Sequence, residues 1–371
     1  MSEIIILGAG AIGRGFLPWV IDTNIYELIF VDINSELVNR LNQQKQYKTY
    51  MVKSSKLEEK SVTVKRAYRL SEFSSLNHNV QAVFMNVGPR NCLAACSCLK
   101  GIKSPIILCE NNPQTVKVVK NALEYERVYF AIPDVITSNT ASAELLTKDP
   151  LSIITEDGTL FVDEKAGDIK GKINFCDEAE LNKQWTAKLY LHNTPHCIAA
   201  YLGAFVGTGY IHEAMKIPQI KEIVSGSMSE MLTALKLKWE IPHSFLDYYA
   251  KKEIQRFCSE LLYDPISRVA REPLRKLELG ERLISAAQIC LSLGFIPKNI
   301  LLGIVGALLF RSEQDRDHHL SFLYRNLPPN LLLTYVLGLR KGEVLELVMK
   351  ERLSKMISDL EILKENCKKP L

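Results

Sequence analysis

At 371 residues, 47% of them hydrophobic and 24% charged, the chain is long enough for two domains with cores of their own and too apolar to be disordered. With 46 basic residues against 42 acidic, its net charge of +4 is too slight to imply nucleic acid or an anionic membrane as a partner. Nine cysteines, an odd number, suggest reduced and mostly buried thiols in a cytoplasmic protein; Cys92, Cys96 and Cys98 lack a second C-x-x-C or H-x-x-x-H partner, so no metal is expected.

The chain opens on Ile4-Ile5-Ile6-Leu7, an apolar run expected of a strand buried on both faces of a parallel sheet. It lacks a basic flank and is too short for a signal peptide. Gly8-Ala9-Gly10-Ala11-Ile12-Gly13 follows as G-x-G-x-x-G, opening an apolar helix with Phe16, Leu17 and Val20. The three glycines suit a tight turn, close approach of backbone to a pyrophosphate, and close packing of helix on sheet. Leu28-Ile29-Phe30-Val31 then reads as a second strand ending at Asp32. A carboxylate there accepts ribose hydroxyls and repels a 2′-phosphate, which favours NAD; Arg14 and Arg40 keep NADP as the alternative.

A polar helix is expected over Ser35 to Gln43, with Ser35 as N-cap, and Lys56 to Lys65 reads as solvated surface. Three more buried strands follow. Val80 to Met85 ends in Asn86-Val87-Gly88-Pro89, a loop expected over the cofactor, so Asn86 and Gly88 join its binding residues. Ile106 to Cys109 ends in Glu110-Asn111-Asn112-Pro113, where Asn111 either positions substrate or is a turn residue. Val128 to Ala131 ends near Pro133-Asp134. Strands that end in polar loops define the ligand crevice of a doubly wound sheet. Ser152 to Ile154 and Leu160 to Val162, separated by Glu156-Asp157-Gly158, look like an added hairpin.

From about Leu181 helical periodicity dominates, punctuated by Pro218, Pro242, Pro265, Pro273, Pro297 and Pro328-Pro329. The expected architecture is an α/β Rossmann-type domain over 1–180, then an all-α domain over 181–371, with the active site in the cleft between them. The apolar stretch Ile300 to Phe310 falls well short of the ~20 residues that span a bilayer.

Lys188, Asn193 and His196 carry the chemistry. A neutral lysine amine can take a hydroxyl proton while hydride leaves the carbon, and an amide and an imidazole can hold the oxygen as it becomes a carbonyl. His192, adjacent, reads as structural or exposed. Arg271, Arg275 and Lys276 place three cations within six residues, which suits a substrate phosphate as well as a charged helix face. His318-His319 resembles surface.

The run Lys188-x4-Asn193-x2-His196, continuing as Ala199-Ala200-Tyr201-Leu202-Gly203, resembles the signature of the polyol-specific long-chain dehydrogenases. Gly8 to Phe16, Arg271 to Leu277, Gly280 to Ile284 and Phe310-Arg311-Ser312-Glu313 are similar to the bacterial branch that acts on mannitol 1-phosphate. The resemblance implies metal-independent, NAD-linked oxidation of a hexitol phosphate to a ketose phosphate, with Lys188 as general base and Asn193 and His196 on the reacting oxygen. It also places Asp134 at the substrate. Burial beside a cationic nicotinamide would depress the lysine pKa, and Thr194-Pro195 would open a helix whose positive end faces the oxyanion. Two departures stand out: Val135 where the resemblance implies arginine, and Pro195 where it implies glycine. They admit a free hexitol or a hexuronate as alternative substrate, and a non-catalytic NAD-binding sensor as the alternative class.

Overall fold

A computed structural model describes residues 2–75, 79–310 and 326–368. They form two compact units, Met1–Trp185 with Leu261–Tyr263, and Thr186–Glu260 with Asp264–Leu371. The matches at Arg311-Ser312-Glu313 and the pair His318-His319 lie outside the described residues.

In the first unit an eight-stranded sheet has the order β11-β10-β8-β7-β6-β1-β2-β5. Its strands are β1 (Ser2–Leu7), β2 (Tyr26–Asp32), β5 (Arg66–Arg69), β6 (Val80–Met85), β7 (Ile106–Leu108), β8 (Val128–Asp134), β10 (Thr159–Asp163) and β11 (Ile173–Cys176). Every pairing is parallel except β10 with β8. The apolar runs follow from burial of both faces. Ile4 and Ile6 enter one core with Leu28, Phe30 and Phe84, while Ile5 and Leu7 enter the other with Ile29, Val31, Val83 and Met85. Helix α1 (Leu17–Val20) and α2 (Ser35–Gln44) cover the first face. Helix α3 (Cys92–Ala95) and α4 (Thr115–Leu123) cover the second, with Cys92, Cys96 and Cys98 packed there as small apolar groups. This is the doubly wound α/β arrangement expected.

Three details differ from expectation. The N-cap of α2 is Asn34, whose side chain accepts from the Leu37 N–H at 3.1 Å, and Ser35 is the first helical residue. The charged run from Lys56 is solvated, as expected, but it is strand β4 (Lys56–Thr63), paired antiparallel with β3 (Gln46–Lys53). The expected hairpin is absent: β9 (Ile153–Glu156) pairs with β3 in a second sheet, order β4-β3-β9, while β10 joins the large one. Gly158 makes the crossing, since a Cβ there would come 2.6 Å from Cβ of Val135. Short helix α5 (Ala143–Lys148) precedes β9.

Helix α6 (Glu178–Ala187) leads into the helical unit. Its central element is α7 (Thr194–Val206), buried continuously from Thr194 to Gly203 and so apolar on all sides. Around it pack α8 (Ile211–Lys216), α9 (Pro218–Lys238), α11 (Ile266–Val269) and α14 (Lys298–Leu309). A Cβ at Gly303 of α14 would lie within 3 Å of Ile198, so glycine there permits the close approach of α14 to α7. Glu230 of α9 caps α14, accepting from the N–H groups of Asn299 at 2.9 Å and Ile300 at 3.1 Å. Helices α10 (His243–Phe257), α12 (Pro273–Lys276) and α13 (Arg282–Ser292) complete the part that bears functional side chains, and Pro329–Tyr335 and Val344–Lys368 follow. Among the described residues no helix is long and apolar enough to cross a membrane.

Candidate active site

In the first unit the glycine-rich turn joins β1 to a π turn, Ala11–Phe16, that runs into α1. Gly8 has φ +96°, and a side chain there would meet the Asn86 carbonyl oxygen at 2.6 Å. A Cβ at Gly13 would meet Asn86 Nδ2 at 2.8 Å and Ile6 at 2.9 Å. Gly10 differs: nothing lies within 4 Å of a Cβ placed there, so its backbone borders open space. Ala9, Ala11 and Ile12 complete the turn, and the Ala9 N–H donates to Asp32 Oδ2 at 2.7 Å. The Asn34 N–H donates to the other Asp32 oxygen at 2.8 Å. Asp32, at the end of β2, is thereby fixed against the glycine turn.

Asn86 bridges the same turn. Its Nδ2 donates to the Gly8 carbonyl, while its buried Oδ1 has no partner among the described residues. A buried acceptor without a donor costs free energy, and a ligand N–H or O–H removes that cost. The Gly88 N–H donates to the buried Glu110 carboxylate at 3.0 Å. Of the two cations that kept a 2′-phosphate open, Arg14 is committed elsewhere and Arg40 makes an exposed surface pair. Arg14 donates to the carbonyls of Ala9 and Leu151, both at 2.7 Å, and Arg40 pairs with Glu36 at 2.6 Å. Asn111 is exposed beyond the end of β7, and Asp134 is buried as the last residue of β8.

In the helical unit Lys188, Asn193 and His196 are all buried, with 5 to 6% of their surface exposed. They sit on one junction. Lys188–Asn193 is a π turn, and α7 continues from it without interruption. Ala187, Asn193 and Thr194 all have right-handed helical dihedrals, and the Thr194 N–H bonds to the Leu189 carbonyl five residues back. Thr194 is therefore no N-cap, and Asn193 and His196 do not lie at a free helix terminus: the expected dipole is absent. The wide turn accommodates Pro195, whose ring would strike the Leu191 carbonyl in a regular α-helix. Thr194 Oγ1 lies 3.1 Å from the Leu189 carbonyl and 3.0 Å from that of Arg282. Asn193 Nδ2 is a buried donor without a partner among the described residues.

Both histidines of this junction are tied to carboxylates. His196 Nε2 lies 2.9 Å from Asp264 Oδ2, and Arg268 donates to Asp264 Oδ1 from Nε at 2.8 Å and Nη2 at 2.5 Å. His192, buried, lies 2.5 Å through Nδ1 from Glu253, whose other oxygen accepts from Arg256. Phe257 stacks on His196 at 4.9 Å and 5°. Burial pushes the His196 imidazole below its ordinary range, outweighing Asp264. Burial acts to raise Asp264, but Arg268 and His196 together hold it below the usual carboxylate range. Sequence reasoning missed Glu253, Arg256, Asp264 and Arg268. The available signal was acid–base spacing of three and four residues.

The three cations near α12 turn out unequal. Arg271 is exposed, its Nε donating to the Arg268 carbonyl at 3.1 Å. Arg275 is matched by Glu272 and Glu281, each at 3.0 Å. Lys276 is buried, with Nζ donating to the carbonyls of Val269 and Arg271, and burial lowers its pKa well below the ordinary value. Glu272, between Arg271 and Pro273, takes the left-handed conformation at φ +55°.

A parallel sheet with a glycine-rich turn, and a separate helical unit holding a buried lysine, asparagine and histidine, together define a dinucleotide-dependent dehydrogenase. Within that class the chain belongs to the mannitol dehydrogenase family and is an oxidoreductase: the family's Rossmann domain matches residues 2–175 and its C-terminal domain residues 180–320. A mannitol-1-phosphate 5-dehydrogenase of Caldanaerobacter subterraneus subsp. tengcongensis is 32% identical over 85% of this chain and 88% of its own. One of Clostridium acetobutylicum is 31% identical over 83% and 86%. Among solved structures, Pseudomonas fluorescens mannitol 2-dehydrogenase, a ternary complex with NAD and D-mannitol, aligns with 100% of this chain and 95% of its own at TM-score 0.75 and 16% identity. A D-sorbitol dehydrogenase in substrate-free form aligns at TM-score 0.61 and 14% identity, covering 84% and 81%. At such identities the likeness is one of fold.

Proposed function

We propose that the protein oxidises a hexitol phosphate, mannitol 1-phosphate, to the corresponding ketose phosphate with NAD, reversibly and without a metal. The observation that carries this is the junction at α7, where Lys188, Asn193 and His196 are buried together and Asn193 presents an unpartnered donor. Lys188 Nζ takes the hydroxyl proton as the carbinol C–H bond breaks and its electron pair leaves as hydride. Asn193 Nδ2 donates to the oxygen while it passes from alkoxide to carbonyl, an interaction strongest where negative charge develops. The dinucleotide, when bound, supplies the hydride acceptor. In reduction Lys188 returns the proton.

The first unit fits NAD by its own residues. Gly10 leaves room for a pyrophosphate, Asn86 Oδ1 awaits a donor, and Asp32 stands where ribose hydroxyls are held. The commitment of Arg14 to the Ala9 and Leu151 carbonyls favours NAD over NADP. The relatives' names support a hexitol phosphate. On this reading Asn111, Asp134, Arg271, Arg275 and Lys276 serve the substrate. Among the described residues no three or more His, Cys, Asp and Glu side chains are placed to hold a metal ion.

The test follows reduced nicotinamide absorbance with NAD or NADP and a panel of mannitol 1-phosphate, glucitol 6-phosphate, free hexitols and hexuronates. Turnover of mannitol 1-phosphate with NAD is expected. Lys188→Ala should lose at least about 10³ in kcat while calorimetry shows NAD binding within about twofold of wild type. Silence of the wild type across the panel, with NAD still bound, would replace this reading with the sensor.

A further inference from the structure

The carboxylate behind His196 is buried, and both of its oxygens are occupied, Oδ2 by His196 Nε2 and Oδ1 by two nitrogens of Arg268. The imidazole has little freedom, with Phe257 stacked on it and the His192 ring 4.9 Å away. The charged and titratable groups around it are Asp264, Arg268 and Arg256, with His192 and its partner Glu253. We infer that Asp264 is a positioning residue: anchored by Arg268, it accepts a hydrogen bond from the Nε2–H of His196 and fixes the tautomer whose Nδ1 is a bare acceptor for a substrate hydroxyl.

The inference rests on the polyol reading above and sharpens it. An imidazole with its proton on Nε2 can accept from an alcohol O–H through Nδ1 but repels a carbonyl oxygen. The two groups on the substrate therefore divide their work. Asn193 donates to the oxygen as it becomes a carbonyl, and His196 reads a neighbouring O–H that stays an alcohol. The ligand class this selects is a polyol with a hydroxyl donor beside the reacting carbon. A deoxy analogue leaves the acceptor unmatched.

Asp264→Asn tests it in the full-length protein. Arg268 holds the amide oxygen toward itself, so the NH2 group faces His196 and the proton must move from Nε2 to Nδ1. In nitrogen-15 histidine spectra the wild type should show the Nε2–H tautomer and Asp264→Asn the Nδ1–H tautomer. kcat should fall by on the order of 10²-fold with KM for NAD unchanged. In a His196→Asn background the same change should cost less than about threefold, because the group it acts through is gone. An equal loss in both backgrounds, or an Nδ1–H tautomer in the wild type, overturns the inference; the wild-type spectrum decides even if Asp264→Asn does not fold. An Nε2–H wild type that turns over no polyol removes the hydroxyl role by removing the functional reading, a result distinct from either.

Discussion

Gly8 and Gly10 are two residues apart and are required for different reasons. Gly8 is required by the fold, because its φ of +96° and the Asn86 carbonyl 2.6 Å from a Cβ both forbid a side chain. A Cβ at Gly10 meets nothing within 4 Å among the described residues, which leaves its place to a ligand. Gly8→Ala should therefore destabilise by at least roughly 1–3 kcal/mol from backbone strain alone. Gly10→Ala should leave stability within about 0.5 kcal/mol and raise the NAD dissociation constant by about tenfold or more. Thermal unfolding and calorimetry on the two variants separate these effects. Wild-type NAD affinity in Gly10→Ala would move the dinucleotide away from this turn. Such residues were legible because a glycine requirement is local: the motif, its strand and Asp32 lie within one β-α-β unit. Asp264 and Glu253 were not legible, since they lie 68 and 61 residues from their histidines. Only the fold brings each acid to its ring.

At the level of elements, periodicity told where apolar strands run and failed where geometry departs from the common forms. The β3–β4 hairpin turns through Ser54 and Ser55, at φ +47° and +61°, without the Asn-Gly or Asp-Gly signal such a turn usually displays. Thr194-Pro195, just after the π turn at Lys188–Asn193, reads as a helix start because proline is tolerated there, yet a wide turn tolerates it too. It also brings Lys188 and Asn193, five residues apart, closer to one face than an α-helix of 3.6 residues per turn would. The segment at α12 gains most from the structure. The sequence puts Arg275 and Lys276 ahead of Arg271 for a phosphate, but of the three only Arg271 is exposed, while Arg275 completes ion pairs and Lys276 ties down backbone carbonyls. Arg271→Ala should raise KM for a phosphorylated hexitol about tenfold or more, with kcat little changed and free hexitols unaffected. Equal effects on phosphorylated and free substrates would remove Arg271 from the phosphate.

The whole molecule carries a stability limit on each side of neutrality, and the sign of each follows from what is buried. His196 is held below its ordinary value of 6.5, chiefly by burial. Below that value the unfolded chain binds the proton first, so its contribution is present above about pH 6.5 and lost as pH falls through the lower folded value. Asp264, held below 3.8, adds a loss in the same direction at still lower pH. On the alkaline side burial pushes the thiols of Cys98 to about 12, Cys197 to about 11 and Cys290 to about 12, and raises those of Cys92 and Cys96. Their contribution is complete below the ordinary 9.0 and is lost as pH rises beyond it, because the unfolded chain then ionises first. Lys276 and Lys60, depressed by burial, work the other way, gaining stability toward 10.5. Maximal stability is therefore expected between about pH 7 and 9. Urea unfolding at pH 7.5 and 5.5 measures the acid limb. His196→Asn should flatten it by up to about 1.4 kcal/mol per pH unit across the His196 window, leaving the alkaline limb in place. An unchanged acid limb in that variant would mean that His196 titrates alike in the folded and unfolded chains, against its burial beside Phe257, which outweighs the opposing pull of Asp264.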